Sequence, residues 1–247
     1  MAGSSGFDDT QVFRRLQALL VNVEDLSGFL VEVARVAASV LGAETAVGIT
    51  FRYDDNMLTV ASSDERAELL DETQYRAHDG PCLQATKTGK IVEVDDARSE
   101  RRWPDYIPVA VEAGVRCSLS LPLTLGEETF GAMNVYGFTR PDQFSVGERH
   151  RLEIFAAQAA GTLRVATRQL ADTVLLGQME EALASRTLID QALGVIMGQQ
   201  RCTASVAFDL LRAESQSTHR RIRDVARDLV VRVTGEPPEL GNIFDAT

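Results

Sequence analysis

No proline occurs between Pro141 and Pro237, and this gap of 95 residues constrains the chain more than any other feature. Proline ends or kinks a helix, because it lacks the N–H and its ring clashes with the preceding turn. The five prolines before the gap therefore interrupt the first half, and the second half is free to be helical. The gap opens near Ser145-Val146-Gly147-Glu148, the spelling of a capping box in which the Ser hydroxyl and the Glu carboxylate each reach a free backbone N–H. A long helix is expected from there, with Leu152, Phe155, Ala159, Leu163 and Ala166 on one face. Leu175, Met179, Ala182, Arg186, Ile189, Leu193 and Ile196 then repeat at alternating spacings of four and three, an a/d stripe of about three heptads with one charged member. It reads either as a short coiled coil that makes a homodimer or as a helix packed inside its own domain. Two shorter helices follow, about 204–214 (Val206, Ala207, Leu210, Leu211) and about 218–233 (Ile222, Val225, Ala226, Leu229, Val233), then a loose tail.

Ahead of the gap the periods shorten. Residues 10–41 read as helix, and Thr45–Phe51 and Met57–Ser62 as strands across the polar turn Asp54-Asp55-Asn56. Residues 64–77 and 80–88 suit short helices, Ile91–Val94 a strand, and Arg101–Gly114 a short helical stretch. The clearest strand has Cys117, Leu119, Leu121, Leu123 and Leu125 alternating with Ser118, Ser120, Pro122 and Thr124. Such alternation marks a half-buried strand with Pro122 on its polar side. Gly126-Glu127-Glu128 turns the chain into a partner strand, Phe130–Phe138. The expected fold is α+β: an antiparallel sheet with flanking helices, a long helical linker, and a helical C-terminal part.

The net charge of −11 argues against loose nucleic-acid binding by the whole chain. Residues 184–235, however, carry eight arginines against five acids, a local +3 that leaves −14 elsewhere. An acidic body with a basic tail suggests two jobs. No run approaches the roughly 20 apolar residues that span a bilayer, and the N-terminus MAGSSGFDDT has neither the basic nor the apolar stretch of a secretion signal. Three cysteines are too few and too scattered for a disulfide framework. A soluble, cytoplasmic protein is expected.

Candidate chemistry is sparse. His78, His150 and His219 share no metal-ligand spacing, and neither phosphate-cradle motif nor GxSxG occurs, so no metal, cofactor or catalytic residue is expected. Acidic pairs such as Asp95-Asp96 and Glu127-Glu128 adjoin turns and read as solvated charge. Cys82 follows Gly80-Pro81 near a helix start, where free N–H groups favour the thiolate of a redox sensor or nucleophile. The alternative is a small apolar Cys filling a core, which also suits Cys117 in the alternating strand. Trp103 and Tyr106 either line a small-molecule pocket with Cys82 and Cys117 or anchor a connecting loop. Arg220, Arg223 and Arg227 fall on one helical face beside Arg221, His219, Gln216 and Thr218. Guanidinium forks there suit phosphates and unpaired bases. The alternative is a solvated face with Arg223 or Arg227 paired to Asp224 or Asp228.

Residues 185–230, with Ser185-Arg-Thr-Leu-Ile-Asp-Gln-Ala-Leu-Gly-Val-Ile-Met197, Ala207-Phe-Asp-Leu-Leu-Arg212, and Ser215-Gln216 to Arg223-Asp-Val-Ala226, closely resemble the ANTAR domain. This is a three-helix RNA-binding module of bacterial transcription antiterminators. Asp25 to Leu163 resembles a GAF sensor domain, through Asp79-Gly-Pro-Cys-Leu-Gln84, Arg102-Trp-Pro104, Ser118-Leu-Ser-Leu-Pro-Leu123 and Phe130-Gly-Ala-Met-Asn-Val-Tyr136. The implied organisation is an N-terminal helical extension over 1–24, GAF over 25–165, a coiled-coil linker over 166–184, ANTAR over 185–235 and a flexible tail over 236–247.

The resemblance implies a dimer that holds paired RNA hairpins with six-nucleotide loops, so that a competing terminator hairpin does not form. Hairpin loops expose unstacked bases to a small basic surface, and a dimer presents two such surfaces at a set distance. Ala192, Gly194, Gln216, Thr218, Arg221 and Arg223 match the family's recognition pattern, with Arg186 and Arg220 adding basic charge. Where family members often have Ala-Lys-Gly this chain has Ala192-Leu193-Gly194, and His219 stands where many have Asn. GAF domains take small molecules, cofactors or other proteins, and no cyclic-nucleotide signature is present, so the ligand stays open. Two other readings remain at this point: a GAF-type methionine-sulfoxide reductase using Cys82 and Cys117, and a helix-turn-helix DNA-binding regulator.

Overall fold

Strand patterning decides the first half of the molecule. The computed structural model describes residues 26–41, 44–53, 56–169 and 173–236. The chain divides into two units with the boundary after Leu175. The first unit contains α1 (Leu26–Leu41), β1 (Thr45–Tyr53), β2 (Asn56–Ser62), α2 (Glu65–Ala77), α3 (Pro81–Thr88), β3 (Val92–Val94), α4 (Ile107–Glu112), β4 (Cys117–Leu125), β5 (Glu128–Gly137) and α5 (Val146–Gln169). The strands form one sheet in the order β2-β1-β5-β4-β3, every neighbouring pair antiparallel. The expected α+β class with an antiparallel sheet is what forms. The predicted helix over 10–25 and the turn at 54–55 lie outside the described residues.

The β4–β5 connection is two residues long, with Leu125 opposite Glu128, and Gly126 takes φ +63. A positive φ at the first central residue matches the right-handed twist of the strands it joins, and glycine adopts it without penalty. Pro122 lies on β4 beyond the end of β3, which pairs only with Ser118 to Ser120. Its missing N–H therefore leaves no ladder bond unmade there.

The expectation that β4 is half-buried is corrected. Cys117, Leu119, Leu121 and Leu123 face α1 and α5, packing with Leu30, Val33, Leu152 and Phe155. On the opposite face Ser118 and Ser120 are also buried, and that side carries Tyr136 of β5 together with Leu70, Ala85, Trp103, Tyr106 and Ile107 from α2, α3, α4 and their loops. The sheet is thus covered on both faces, and the alternation separates an apolar layer from a polar, equally buried one. The stretch expected as helix over 101–114 shortens to α4, with Pro104 and Pro108 limiting its start.

Local chemistry sets the helix ends. Asp64 caps α2 by accepting from the N–H groups of Arg66 and Ala67 at 3.0 and 3.2 Å. The capping box of α5 forms as expected: Ser145 N–H donates to Glu148 Oε2 at 2.8 Å, and Glu148 N–H donates to Ser145 Oγ at 3.3 Å.

The C-terminal helices are α6 (Thr173–Gln200), α7 (Ala204–Thr218) and α8 (Ile222–Thr234). Leu188, Ile189, Ala192, Leu193 and Ile196 of α6 are buried, as are Ala207, Phe208 and Leu211 of α7 and Ile222, Val225, Ala226 and Val230 of α8. The lower half of the a/d stripe is therefore already covered within one chain, as in the packed-helix alternative. The side chains of its upper half, Leu175, Met179 and Ala182, lie outside the described residues, as does the tail from Pro237. Val206 and Leu210, whose spacing helped mark the helix, are 47% exposed each, and Val233 is also exposed. A four-residue spacing brings them to one face but does not say which neighbouring stripe turns inward.

Among the described residues no helix is long and apolar enough to cross a membrane.

Candidate functional site

In the first unit, the sheet face under α2 and α3 carries a hydrogen-bonded polar network centred on Asp71. This side chain projects from α2 and is fully buried. Oδ1 accepts from the Tyr136 hydroxyl at 2.6 Å and from Asn134 Nδ2 at 2.8 Å, both on β5. Oδ2 lies 3.3 Å from the Thr59 hydroxyl of β2, which meets the Tyr75 hydroxyl at 2.9 Å. Gln74, next along α2, donates from Nε2 to the Tyr136 hydroxyl and accepts the Cys82 N–H on Oε1, both at 2.8 Å. Glycines make the room: a Cβ on Gly48 would sit 2.1 Å from Asp71 Oδ2, and one on Gly80 (φ +147) 2.4 Å from Gln74 Oε1. Burial pushes the Asp71 carboxyl up to about 7, because lost hydration outweighs the hydrogen bonds from Tyr136, Asn134 and Thr59.

Cys82 is the second residue of α3, with Sγ 3.3 Å from the Thr50 hydroxyl. Its position at a helix start suggested a lowered pKa. Burial decides the opposite: desolvation first, and the charge of Asp71 second, push the thiol up to about 12. Cys82 is a core residue here, not a thiolate. Trp103 and Tyr106 are buried on the same side of the sheet, and the Arg102 guanidinium stacks 4.3 Å over the Trp103 ring. Three of the four expected pocket residues thus share a face. Cys117 does not join them: it points with Leu119 and Leu121 into the α1/α5 layer, and burial raises its thiol too. The pairing that a Cys82–Cys117 redox enzyme needs is separated by the sheet.

The C-terminal unit builds a basic turn. Serine chemistry explains its shape: buried Ser215 donates from Oγ to the Arg220 carbonyl at 2.6 Å, and the Arg220 N–H returns to the Ser215 carbonyl at 3.2 Å. His219 takes a left-handed backbone (φ 52) and ends α7 by donating its N–H to the Gln216 and Ser215 carbonyls. α7 therefore runs to Thr218, four residues beyond the expected end, and α8 starts only at Ile222. No side chain caps α8; its first turn closes with the Asp224 and Val225 N–H groups donating to the Arg221 carbonyl, and its positive dipole end lies beside Arg221 and Arg223. Gln216, Thr218, His219 and Arg220 are exposed, and Arg221 and Arg223 are half-buried.

The single helical strip of Arg220, Arg223 and Arg227 is corrected, since Arg220 precedes the helix. It pairs with Asp228 at 2.7 Å, and Arg227 pairs with Asp224 at 3.1 Å, both at exposed positions. On α6, Arg186 is half-buried and Gly194 exposed with open space around it. Ala192 is fully buried.

Asp71, Gln74 and Asn134 carry no signal in the sequence, because a polar residue on an amphipathic helix or inner strand stands out only once the covering layer is known. The same holds for Glu93, Asp95 and Asp142, whose carboxylates converge. Arg149 pairs with Glu93 and, at 2.5 Å, with Asp142, so one guanidinium offsets part of the charge of the three carboxylates.

The two units correspond to two domain families. Residues 23–164 match the GAF domain and residues 177–230 the ANTAR domain. The fold is similar to the GAF domain of a phosphoenolpyruvate-protein phosphotransferase from Acinetobacter, with TM-score 0.50 and 17% identity over 67% of this chain and 98% of that one. It is similar to the corresponding domain from Coxiella burnetii, with TM-score 0.52 and 15% identity over 68% and 99%. Free methionine-R-sulfoxide reductase from Neisseria meningitidis, solved with its substrate, gives TM-score 0.51 and 16% identity over 69% and 96%. At these identities the likeness concerns the fold alone. Comparison with curated proteins finds no match. With a GAF domain followed by an ANTAR domain, the chain belongs to the GAF–ANTAR family of RNA-binding antitermination regulators.

Proposed function

We propose that this chain works in the cytoplasm as a homodimer, each copy holding one hairpin of a paired-hairpin RNA leader at the α7–α8 turn, under control of its GAF unit. The observation that carries the reading is the turn itself. Gln216, Thr218, Arg220, Arg221 and Arg223 gather at an uncapped helix start that the Ser215 clasp holds in place. Such a surface offers guanidinium forks and oriented N–H groups to phosphates, and hydrogen-bonding groups to splayed loop bases. Arg186 and Gly194 on α6 extend the contact. The dimer rests on the a/d spacing of the sequence, which begins at Leu175. The organisation follows: extension 1–24, GAF 25–165, helical linker 166–184, RNA-binding unit 185–235 and tail 236–247. The reductase reading lacks a paired thiol site, since Cys82 and Cys117 face opposite layers. A duplex-reading regulator would bind duplex DNA in preference to hairpin RNA.

Titration of a two-hairpin RNA with six-nucleotide loops across a salt series tests the proposal, with single-hairpin RNA, duplex DNA and the Arg221→Ala/Arg223→Ala variant as controls. Each phosphate neutralised on single-stranded RNA contributes about −0.7 to the log–log salt slope, so the double variant is expected to flatten it by about 1.4. An unchanged slope, or preference for the duplex, overturns the reading.

A further inference from the structure

We infer that Asp71 makes closure of α2 onto the sheet proton-dependent, so that the sensor unit responds to protons through one buried carboxyl group. The inference rests on reading the first unit as a sensor and names a signal for it. Four observations meet at this residue. Its carboxyl group has no exposure, and among the described residues it makes no ion pair, whereas its helix neighbour Glu72 is paired with Arg76 at 2.9 Å. Its hydrogen bonds tie α2 to β2 and β5, and through Tyr136 and Gln74 they reach the start of α3. Gly48 leaves room for the carboxyl oxygen and nothing larger. The RNA-binding turn does not use it.

Three neutral donors and no cation hold the carboxyl group: Oδ1 accepts from Tyr136 and Asn134, and Oδ2 accepts from the Thr59 hydroxyl, which also meets the Tyr75 hydroxyl. With a proton on Oδ2 the acid would donate to the Thr59 oxygen instead. Removing that proton leaves a buried carboxylate whose titratable neighbours are acids, phenols and a thiol, Arg76 of α2 being paired with Glu72. From α2 these are Glu68, Glu72 and Tyr75, from β5 Tyr136, from α3 Cys82, and from the segment before α4 Tyr106. Glu68 opposes ionisation directly. The ionised group regains hydration only if α2 lifts from the sheet, which breaks the Gln74 tie to α3. Buried acids that report ambient pH in this way require a two-state element, and here α2 is that element.

The full-length chain and its Asp71→Asn variant, an isostere of the neutral acid, test this between about pH 6 and about pH 8. In the wild type, difference infrared spectra are expected to show a carboxylic acid carbonyl band that disappears through neutral pH and is missing from the variant. Hydrogen-exchange protection factors of residues 65–77 are expected to fall about tenfold across that interval in the wild type and to stay level in the variant. A wild type with no titrating band, or equal pH dependence of protection in both proteins, overturns the inference. If Asp71→Asn does not fold, the wild-type infrared titration decides alone. RNA affinity measured on the same samples separates the two claims. A titrating band with pH-independent RNA affinity refutes GAF control of RNA binding while supporting the protonation of Asp71.

Discussion

Leu193 reports which way the α6 stripe faces. In one chain it is 5% exposed, between Ile189 at 4% and Ile196 at 9%. Leu193→Ala removes buried carbons and leaves a cavity, which at sites of this kind costs about 2–5 kcal/mol. The unit from Leu176 to Thr247, at about 0.05–0.15 kcal/mol per residue, has roughly 4–11 kcal/mol to lose. The variant is therefore expected to forfeit a large share of the stability of its C-terminal unit. Urea unfolding of the full chain, followed by far-UV circular dichroism at two protein concentrations tenfold apart, reads this. A bundle core predicts the same loss at both concentrations. A dimer seam predicts a loss that depends on concentration, because tenfold dilution weakens association by about 1.4 kcal/mol. A loss below about 1 kcal/mol, or one that grows on dilution, refutes the packing argument. The same burial bears on the lysine that other family members carry here: Leu193→Lys brings an ammonium to a covered site and is expected to destabilise before it gains a phosphate contact.

Three further outcomes are expected. Half-buried Cys202 reacts with maleimide first, and Cys82 and Cys117 react only as fast as the first unit opens; mass spectrometry showing rapid labelling of either buried thiol contradicts the core assignment. Ser215→Ala loses the 2.6 Å bond to the Arg220 carbonyl, costs about 1 kcal/mol, and weakens RNA binding by loosening the turn; calorimetric affinity equal to wild type removes Ser215 as a positioning residue. The Asp71 pKa is raised on folding, from 3.8 to about 7, so the folded chain holds a proton that the unfolded chain has released. Its contribution to stability is greatest below about pH 4, falls as pH rises to about 7, and is level beyond, a total of about 4 kcal/mol at about 1.4 per unit. Glu100, held at about 2 by Arg102, titrates below that window. Denaturant midpoints from about pH 5 to 8 for wild type and Asp71→Asn check the sign, and a wild-type midpoint that rises with pH refutes it.

Much of the fold was legible because its determinants are local. The Ser145/Glu148 box, the β4–β5 hairpin at Gly126 and the strands at 45 and 57 follow from turn chemistry and from period two. The basic turn was legible only by residue type. Its shape depends on Ser215, whose hydroxyl reaches five residues forward and moves the start of α8 past Arg220, a tertiary choice with no sequence signature. The polar network was not legible, since Asp71, Thr59, Asn134 and Tyr136 lie on three elements far apart in the chain.

The sequence by itself determined which residues share a face, where turns fall, and that an acidic α+β unit precedes a basic helical one. Periodicity carries that information because it follows from backbone geometry alone. Only the tertiary structure decided what covers each face. It buried both sides of β4 and raised the Cys82 thiol where its helix position suggested lowering. It also turned Ile189 and Leu193 inward and Val206 and Leu210 outward, and set a carboxyl group under α2 without a counter-charge. Burial and desolvation belong to the surrounding layers rather than to the residue, so they appear only when distant segments meet.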